Sequence, residues 1–179
     1  FGYVDVAYDL LLQDTYPSWL YPVTQGATTI WERWDGRRPD GSFQSAGMNS
    51  FNHYAYGAVG DWMYQTVAGL DTDSSGAGYK HVKIHPHPGG NLTYAGAAFD
   101  SMYGHTESRW DYGNDGFTLR VTIPANTTAT VRLPNAANRE ITESGLPVEQ
   151  AVGVTSVEVE ERDIVIGIGS GQYTFLTRN

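Results

Sequence analysis

Glu32 stands between Trp31 and Trp34 in the stretch GATTIWERWDG, residues 26–36. Indole faces suit the C–H surface of a sugar ring. A carboxyl group held beside them fits glycoside hydrolysis, in which one acid protonates the leaving oxygen and a second carboxylate activates water or attacks the anomeric carbon. The β-branched Thr28, Thr29 and Ile30 disfavour a helix here. As extended chain the segment places Ile30, Glu32 and Trp34 on one side and Trp31 and Arg33 on the other. Two tryptophans imply burial, and a lone carboxylate is costly to bury unless something pairs with it or uses it. The plainer alternative is a surface glutamate paired with an arginine. Asp35 and Asp40 are close in sequence, but DGRRPDGS has the composition of a turn, so neither supplies an evident second acid.

His53 is the next candidate. It falls outside the apolar stripe of an expected helix, on a face with Gly57, Gly60 and Tyr64, where glycines let a backbone or a ligand come close. Its place in the first turn can turn it toward a site entrance; a histidine hydrogen-bonded within helix packing is the alternative. HVKIHPHPGG brings His81, His85 and His87 together. Pro86 and Pro88 interrupt the strand, however, and no carboxylate is spaced to complete a metal shell. A surface loop is expected there, with no metal site. GIGSGQ lacks the G-K-[ST] ending of a phosphate loop, and with no cysteine the chain has neither thiolate nucleophile nor disulfide. No cofactor is expected.

The composition narrows the partners. Of 179 residues, 17% are charged and 13% aromatic, with 12 Tyr and 5 Trp, a balance that favours amphipathic rings over ion pairs. The formal charge of −9, with no Lys/Arg cluster, repels phosphate backbones, so no nucleic acid partner is expected. No apolar run approaches the roughly 18 residues of a membrane span, so none is expected to cross a membrane. Cytoplasmic and exported locations are equally compatible with the sequence.

These residues must be positioned by elements of two kinds. Val4, Ala7, Tyr8, Leu11 and Leu12 form a helical stripe over residues 3–14, and SWLYP reads as a short helical turn between Pro17 and Pro22. Phe51, Tyr54, Ala55, Ala58, Val59, Trp62 and Met63 predict a helix over 50–68, capped by Asn49 or Ser50. LDTDSSGAGYK has the composition of a linker. Beyond it the period becomes two: in FTLRVTI, Phe117, Leu119, Val121 and Ile123 face a core while Thr118, Arg120 and Thr122 face out. The reading is α+β, with helices over 1–70, a linker over 71–79 and an antiparallel β-sandwich over 80–179. Two helices cannot bury their stripes on each other alone. They are expected to be the end of a larger helical domain, or to pack on the sandwich or in a homo-oligomer.

Taken in order, GATTIWERWDG, SFNHYAYGAVGDWMYQTVAGL, LTYAGAAFDSMYGHTESRW and TLRVTIPANTTATVRLP resemble the C-terminal third of bacterial α-L-rhamnosidases of glycoside hydrolase family 78, over roughly residues 1–175. The resemblance implies the last helices of a six-fold α/α barrel followed by a C-terminal β-sandwich. It implies an inverting hydrolase that removes terminal α-L-rhamnose from glycosides or polysaccharides. Glu32 would be its general base, His53 a rhamnose contact, and Trp31 and Trp34 pocket walls. In that family the general acid and most sugar-binding residues lie on earlier helices, so the missing N-terminal part of the catalytic domain becomes an expected partner. Two other readings stand beside it. One is a carbohydrate-binding or structural β-module gripping glycans through Tyr94, Tyr103, Trp110 and Tyr112; the other is a different α/α-barrel glycosidase.

Overall fold

The computed structural model describes residues 2–74 and 76–178. It divides into two compact units, one running to Trp62 and taking in Gly89–Asn91, the other comprising Met63–Pro88 and the chain from Leu92 onward.

In the first unit α1 spans Val4–Leu12 and buries Tyr8 and Leu11, the centre of the expected stripe. The Tyr8 ring meets Trp62 edge-on at 5.1 Å, and burial lifts its hydroxyl pKa to about 12. Gly89 and Gly90 let the chain pass over that ring: a Cβ on either would come within 2.7 Å of Tyr8. Helix α2, Leu20–Thr24, accommodates Pro22 in its first turn, where the missing N–H costs nothing, and Ser18 Oγ accepts the Tyr21 amide at 3.0 Å.

The helix expected over 50–68 is shorter and less regular. Residues 51–54 are not helical; a 3₁₀ turn at Ala55–Ala58 leads into α3, Val59–Trp62, and then a π turn, Met63–Val67. Asn49, which follows a 3₁₀ turn at Ala46–Met48, and Ser50 therefore do not cap this run, and His53 precedes it instead of sitting in its first turn. The cause is competition for the backbone: the His53 amide donates to Ile30 O at 2.8 Å, and Phe51 O accepts the Thr29 hydroxyl at 2.5 Å. Gly57 and Gly60 further weaken a regular helix.

The second unit is a two-sheet sandwich. Strands β1 (Leu70–Thr72), β2 (His81–Ile84), β6 (Thr128–Leu133), β10 (Asp163–Ile168) and β9 (Val154–Glu160) form one sheet in that order. The other runs β3 (Tyr94–Ser101), β4 (Gly104–Gly113), β5 (Gly116–Ile123), β11 (Gly171–Arg178), β7 (Ile141–Glu143) and β8 (Leu146–Pro147). All pairs are antiparallel but one: β2 lies parallel to β6, His81 opposite Thr128, a departure from the purely antiparallel expectation. Inner faces of both sheets contribute to one core, which includes Ile84, Val131, Ile166, Trp110, Leu119 and Phe175. The alternation in β5 is as read from the sequence, with Phe117, Leu119, Val121 and Ile123 all buried.

The stretch expected as a linker is partly sheet. Leu70–Thr72 pairs with β2, Leu70 opposite Ile84, and Leu70 is 1% exposed. Trp110 is not a platform for a ligand: it is fully buried, and its indole N–H donates to Val67 O at 2.7 Å. Tyr94 and Tyr112 are exposed.

Of the three histidines only His81 falls in a strand; His85 and His87 lie in the irregular segment after β2. His81 lies in β2, with its ring nitrogens 2.7 and 2.9 Å from the Thr128 and Thr130 hydroxyls. His85 and His87 are half-buried, their ring centroids 4.0 Å apart. Among the described residues no group of three or more His, Asp or Glu is placed to hold a metal ion. Burial, helped by neighbouring His87 and Arg132, lowers the His85 pKa to about 4, so the 3.9 Å approach to Asp163 joins a carboxylate to a neutral imidazole near neutral pH. Because the folded pKa lies below the unfolded value, unfolded His85 takes up a proton first as pH falls. The contribution is intact above about pH 6.5 and drains away toward pH 4. In urea titrations across that window the wild type is expected to lose stability more steeply than His85→Gln; equal slopes would refute the assignment.

Candidate active site

Glu32 is held by a short two-stranded exchange with the segment 50–53. Its backbone amide donates to Ser50 O at 2.8 Å, and the Ser50 amide donates to Glu32 Oε2 at 2.7 Å. One carboxylate oxygen is thus engaged by a backbone N–H, while Oε1 has no protein partner among the described residues. Glu32 lines a cavity of about 340 Å³ together with Trp34, Asp35, Met48 and Tyr56. Arg33 lines it too, against the simple alternation expected for extended chain. The reason is a turn: the Gly36 amide donates to Arg33 O at 3.2 Å and folds the segment back.

Arg33 does not pair with Glu32. It makes a two-point contact with Asp35, Nε to Oδ1 at 2.8 Å and the second nitrogen to Oδ2 at 3.0 Å, and Gln44 adds a third donor at 2.8 Å. The Arg33 hydrogen bond is the main reason the Asp35 carboxyl titrates below the usual carboxylate range. Asp35 is thereby occupied as an anchor. Asp40 accepts both the amide and the hydroxyl of Ser42, the turn chemistry its sequence suggested, and these bonds lower its pKa.

Trp34 and Tyr56 also line an apolar cavity of about 270 Å³ with Trp19, Ile30 and Trp31. Their rings stand 4.8 Å apart and tilted, Trp19 lies 4.7 Å from Trp34, and the Trp19 indole N–H donates to Tyr56 O at 3.2 Å. Trp31 is 8% exposed and packs edge-on against Phe51 at 5.0 Å. Of the residues singled out in the sequence, Glu32 and Trp34 share a cavity, and Trp31 shares its neighbour. His53 lines neither: its ring stacks on Tyr54 at 5.5 Å, and Nδ1 accepts the Ala55 amide at 3.3 Å, while Nε2 has no hydrogen-bond partner among the described residues. Sequence reasoning missed Tyr56, Trp19 and Ser50. Tyr56 lies within SFNHYAYG and Trp19 within SWLYP, but neither ring stood out from the aromatics around it, and Ser50 acts through its backbone.

The carboxylate and its aromatic neighbours thus lie in a unit of short helices and loops, and a two-sheet β unit follows in the chain. Residues 1–67 match the bacterial alpha-L-rhamnosidase six-hairpin glycosidase domain, and residues 69–146 match the bacterial alpha-L-rhamnosidase C-terminal domain. The chain belongs to the bacterial α-L-rhamnosidase family. It is 47% identical over 174 residues to the alpha-L-rhamnosidase of Streptomyces avermitilis, which covers 97% of this chain and 16% of that protein. The crystal structure of a Streptomyces avermitilis alpha-L-rhamnosidase complexed with L-rhamnose superposes with a TM-score of 0.83 at 45% identity, over 97% of this chain and 16% of that one. The alpha-L-rhamnosidase from Dictyoglumus thermophilum gives 0.84 at 35% identity, over 99% and 19%. The chain therefore spans 16–19% of the length of these relatives.

Proposed function

We propose that the chain is the base-bearing part of an inverting α-L-rhamnosidase, with Glu32 as general base toward the hydrolytic water, His53 Nε2 as a sugar contact, and Trp34 and Trp31 as walls. The observation that carries this reading is the state of the Glu32 carboxylate. One oxygen is fixed by the Ser50 amide, and the other is unengaged within an aromatic-walled cavity. A carboxylate so held has one direction left in which to accept a proton. Inversion requires water between sugar and base, with the two carboxyl groups roughly 6.5–9.5 Å apart.

The acid is expected in the part of the enzyme preceding these residues. Asp35, the nearest acidic side chain lining the cavity, is consumed by Arg33 and Gln44. Exposed Val6, Leu10, Val23 and Ile30 in the helical unit are suited to be covered by that part. The substrate is proposed to be a rhamnose-terminated glycoside or polysaccharide. Two measurements test the reading. Proton NMR of the first-formed sugar from the complete enzyme is expected to show the inverted anomer, and a retained anomer would remove Glu32 from the base role. The 179-residue chain alone is expected to leave p-nitrophenyl α-L-rhamnoside intact, and turnover by a preparation free of host glycosidase would show that it needs no external acid.

A further inference from the structure

We propose that Asn49 is the positioning residue for Glu32, setting the direction of its carboxylate through the backbone of Ser50; the assignment rests on the reading of Glu32 as the base. The Ser50 amide can aim Glu32 Oε2 only if the peptide between residues 49 and 50 is itself fixed. No helix includes it: a 3₁₀ turn ends at Met48 and the next helical run begins at Ala55. The Glu32 amide holds it from the Ser50 side, and the Asn49 side chain holds it from the other. Asn49 Nδ2 donates to Gly36 O at 3.0 Å, tying the segment that carries Ser50 to the turn that follows Glu32. Gly36 O also accepts the Gln44 amide at 3.0 Å, and Gln44 in turn holds Asp35, so the anchor point is braced from a second direction.

Gly36 is buried, and the fit between it and Asn49 leaves no slack. A Cβ at residue 36 would stand 2.7 Å from Asn49 Oδ1, with Arg33 O at 3.3 Å and the Phe51 ring at 3.4 Å. Only glycine lets the amide of Asn49 lie flat on that backbone. Asn49 Oδ1 is buried without a hydrogen-bond partner, which is costly and is tolerated here because Nδ2 must face Gly36 O. The orientation of this amide is thus set by a single bond, and that bond transmits to Glu32 through Ser50. The consequence for catalysis is directional: Oε2 is committed to Ser50, so Oε1 is the oxygen that takes the proton from water. A tilt of the carboxylate away from the Ser50 amide would misplace the free oxygen by a distance that costs rate without costing sugar affinity.

Two variants approach the contact from opposite sides. Asn49→Asp keeps the side-chain volume but faces Gly36 O with an acceptor, while Gly36→Ala keeps Asn49 and pushes its amide away. In the ¹⁵N-labelled chain the Ser50 amide proton, bonded to a carboxylate, is expected to lie downfield, and both variants are expected to move it upfield while the spectrum stays dispersed. In the complete enzyme both are expected to lower kcat by about 10-fold or more with KM little changed. A Ser50 resonance that stays put, or kcat within twofold of wild type for both while Glu32→Gln is disabled, overturns the assignment of Asn49 alone. If Glu32→Gln turns over normally, the base reading falls, and the role of Asn49 in catalysis falls with it.

Discussion

Replacing Glu32 with glutamine in the complete enzyme is expected to lower kcat by about 10²-fold or more and to leave KM nearly unchanged. The size follows from what the substitution does to the two oxygens. Glu32→Gln preserves volume and leaves one carbonyl oxygen, and the Ser50 amide at 2.7 Å is the donor placed to claim it. The NH₂ group then occupies the position of Oε1. A donor stands where an acceptor is needed, so the attacking water cannot be deprotonated there. Glu32→Gln is expected to leave ground-state sugar contacts untouched, which separates it from His53→Ala: losing the sugar contact proposed for His53, made equally to substrate and transition state, is expected mainly to raise KM. Steady-state kinetics of both variants decide the matter. A Glu32→Gln enzyme with near-normal kcat would return Glu32 to the role of an ordinary anchored glutamate.

The largest expected effect on folding is at Trp110. It is the largest of the fully buried side chains, it packs 6.2 Å from Phe117, and its N–H satisfies Val67 O, a carbonyl at the end of the π turn. The neighbouring Ala68 carbonyl is taken by the Ser108 hydroxyl at 2.7 Å, so two side chains of β4 tie down the segment entering β1. Trp110→Ala removes the core volume and strands the carbonyl, and a loss of about 3–5 kcal/mol is expected for the β unit. Trp110→Phe keeps most of the apolar contact but not the donor, and is expected to cost about 1–3 kcal/mol. Urea midpoints read both. If the two variants were equally stable, the hydrogen bond to Val67 O would be the whole contribution, and the cavity argument would be wrong.

Strands with one buried face could be read directly. β5 alternates Phe117, Leu119, Val121 and Ile123 with Thr118, Arg120 and Thr122, and the burial follows that pattern, because period two and a single core leave only one register. β1 could not be read: Leu70–Thr72 holds one apolar residue in a polar, glycine-rich neighbourhood, and only the partner strand β2 makes it sheet. In the helical unit the stripe of α1 was visible, but the start of the run at Ala55 was not, since backbone bonds from residues 50–53 to the Glu32 segment override a favourable apolar spacing. Glu32 stood out because indoles flank a carboxylate. Its anchor did not, because a backbone amide leaves no mark on residue type, and Asn49 resembled a helix cap when it is a tie between two loops.

The position of β11 sets the order in which the sandwich can be completed. Gly171–Arg178 lies between β5 and β7, pairing Phe175 with Leu119 on one side and with Glu143 on the other. During synthesis every other strand of that sheet leaves the ribosome first, so β5 and β7 each wait with an open edge, and the inward rings of Trp110 and Phe117 wait with them. The nascent β unit is therefore a split sheet that closes only when its last strand is released. That interval, more than the finished fold, is when it is exposed to proteases and to edge-to-edge pairing with other chains.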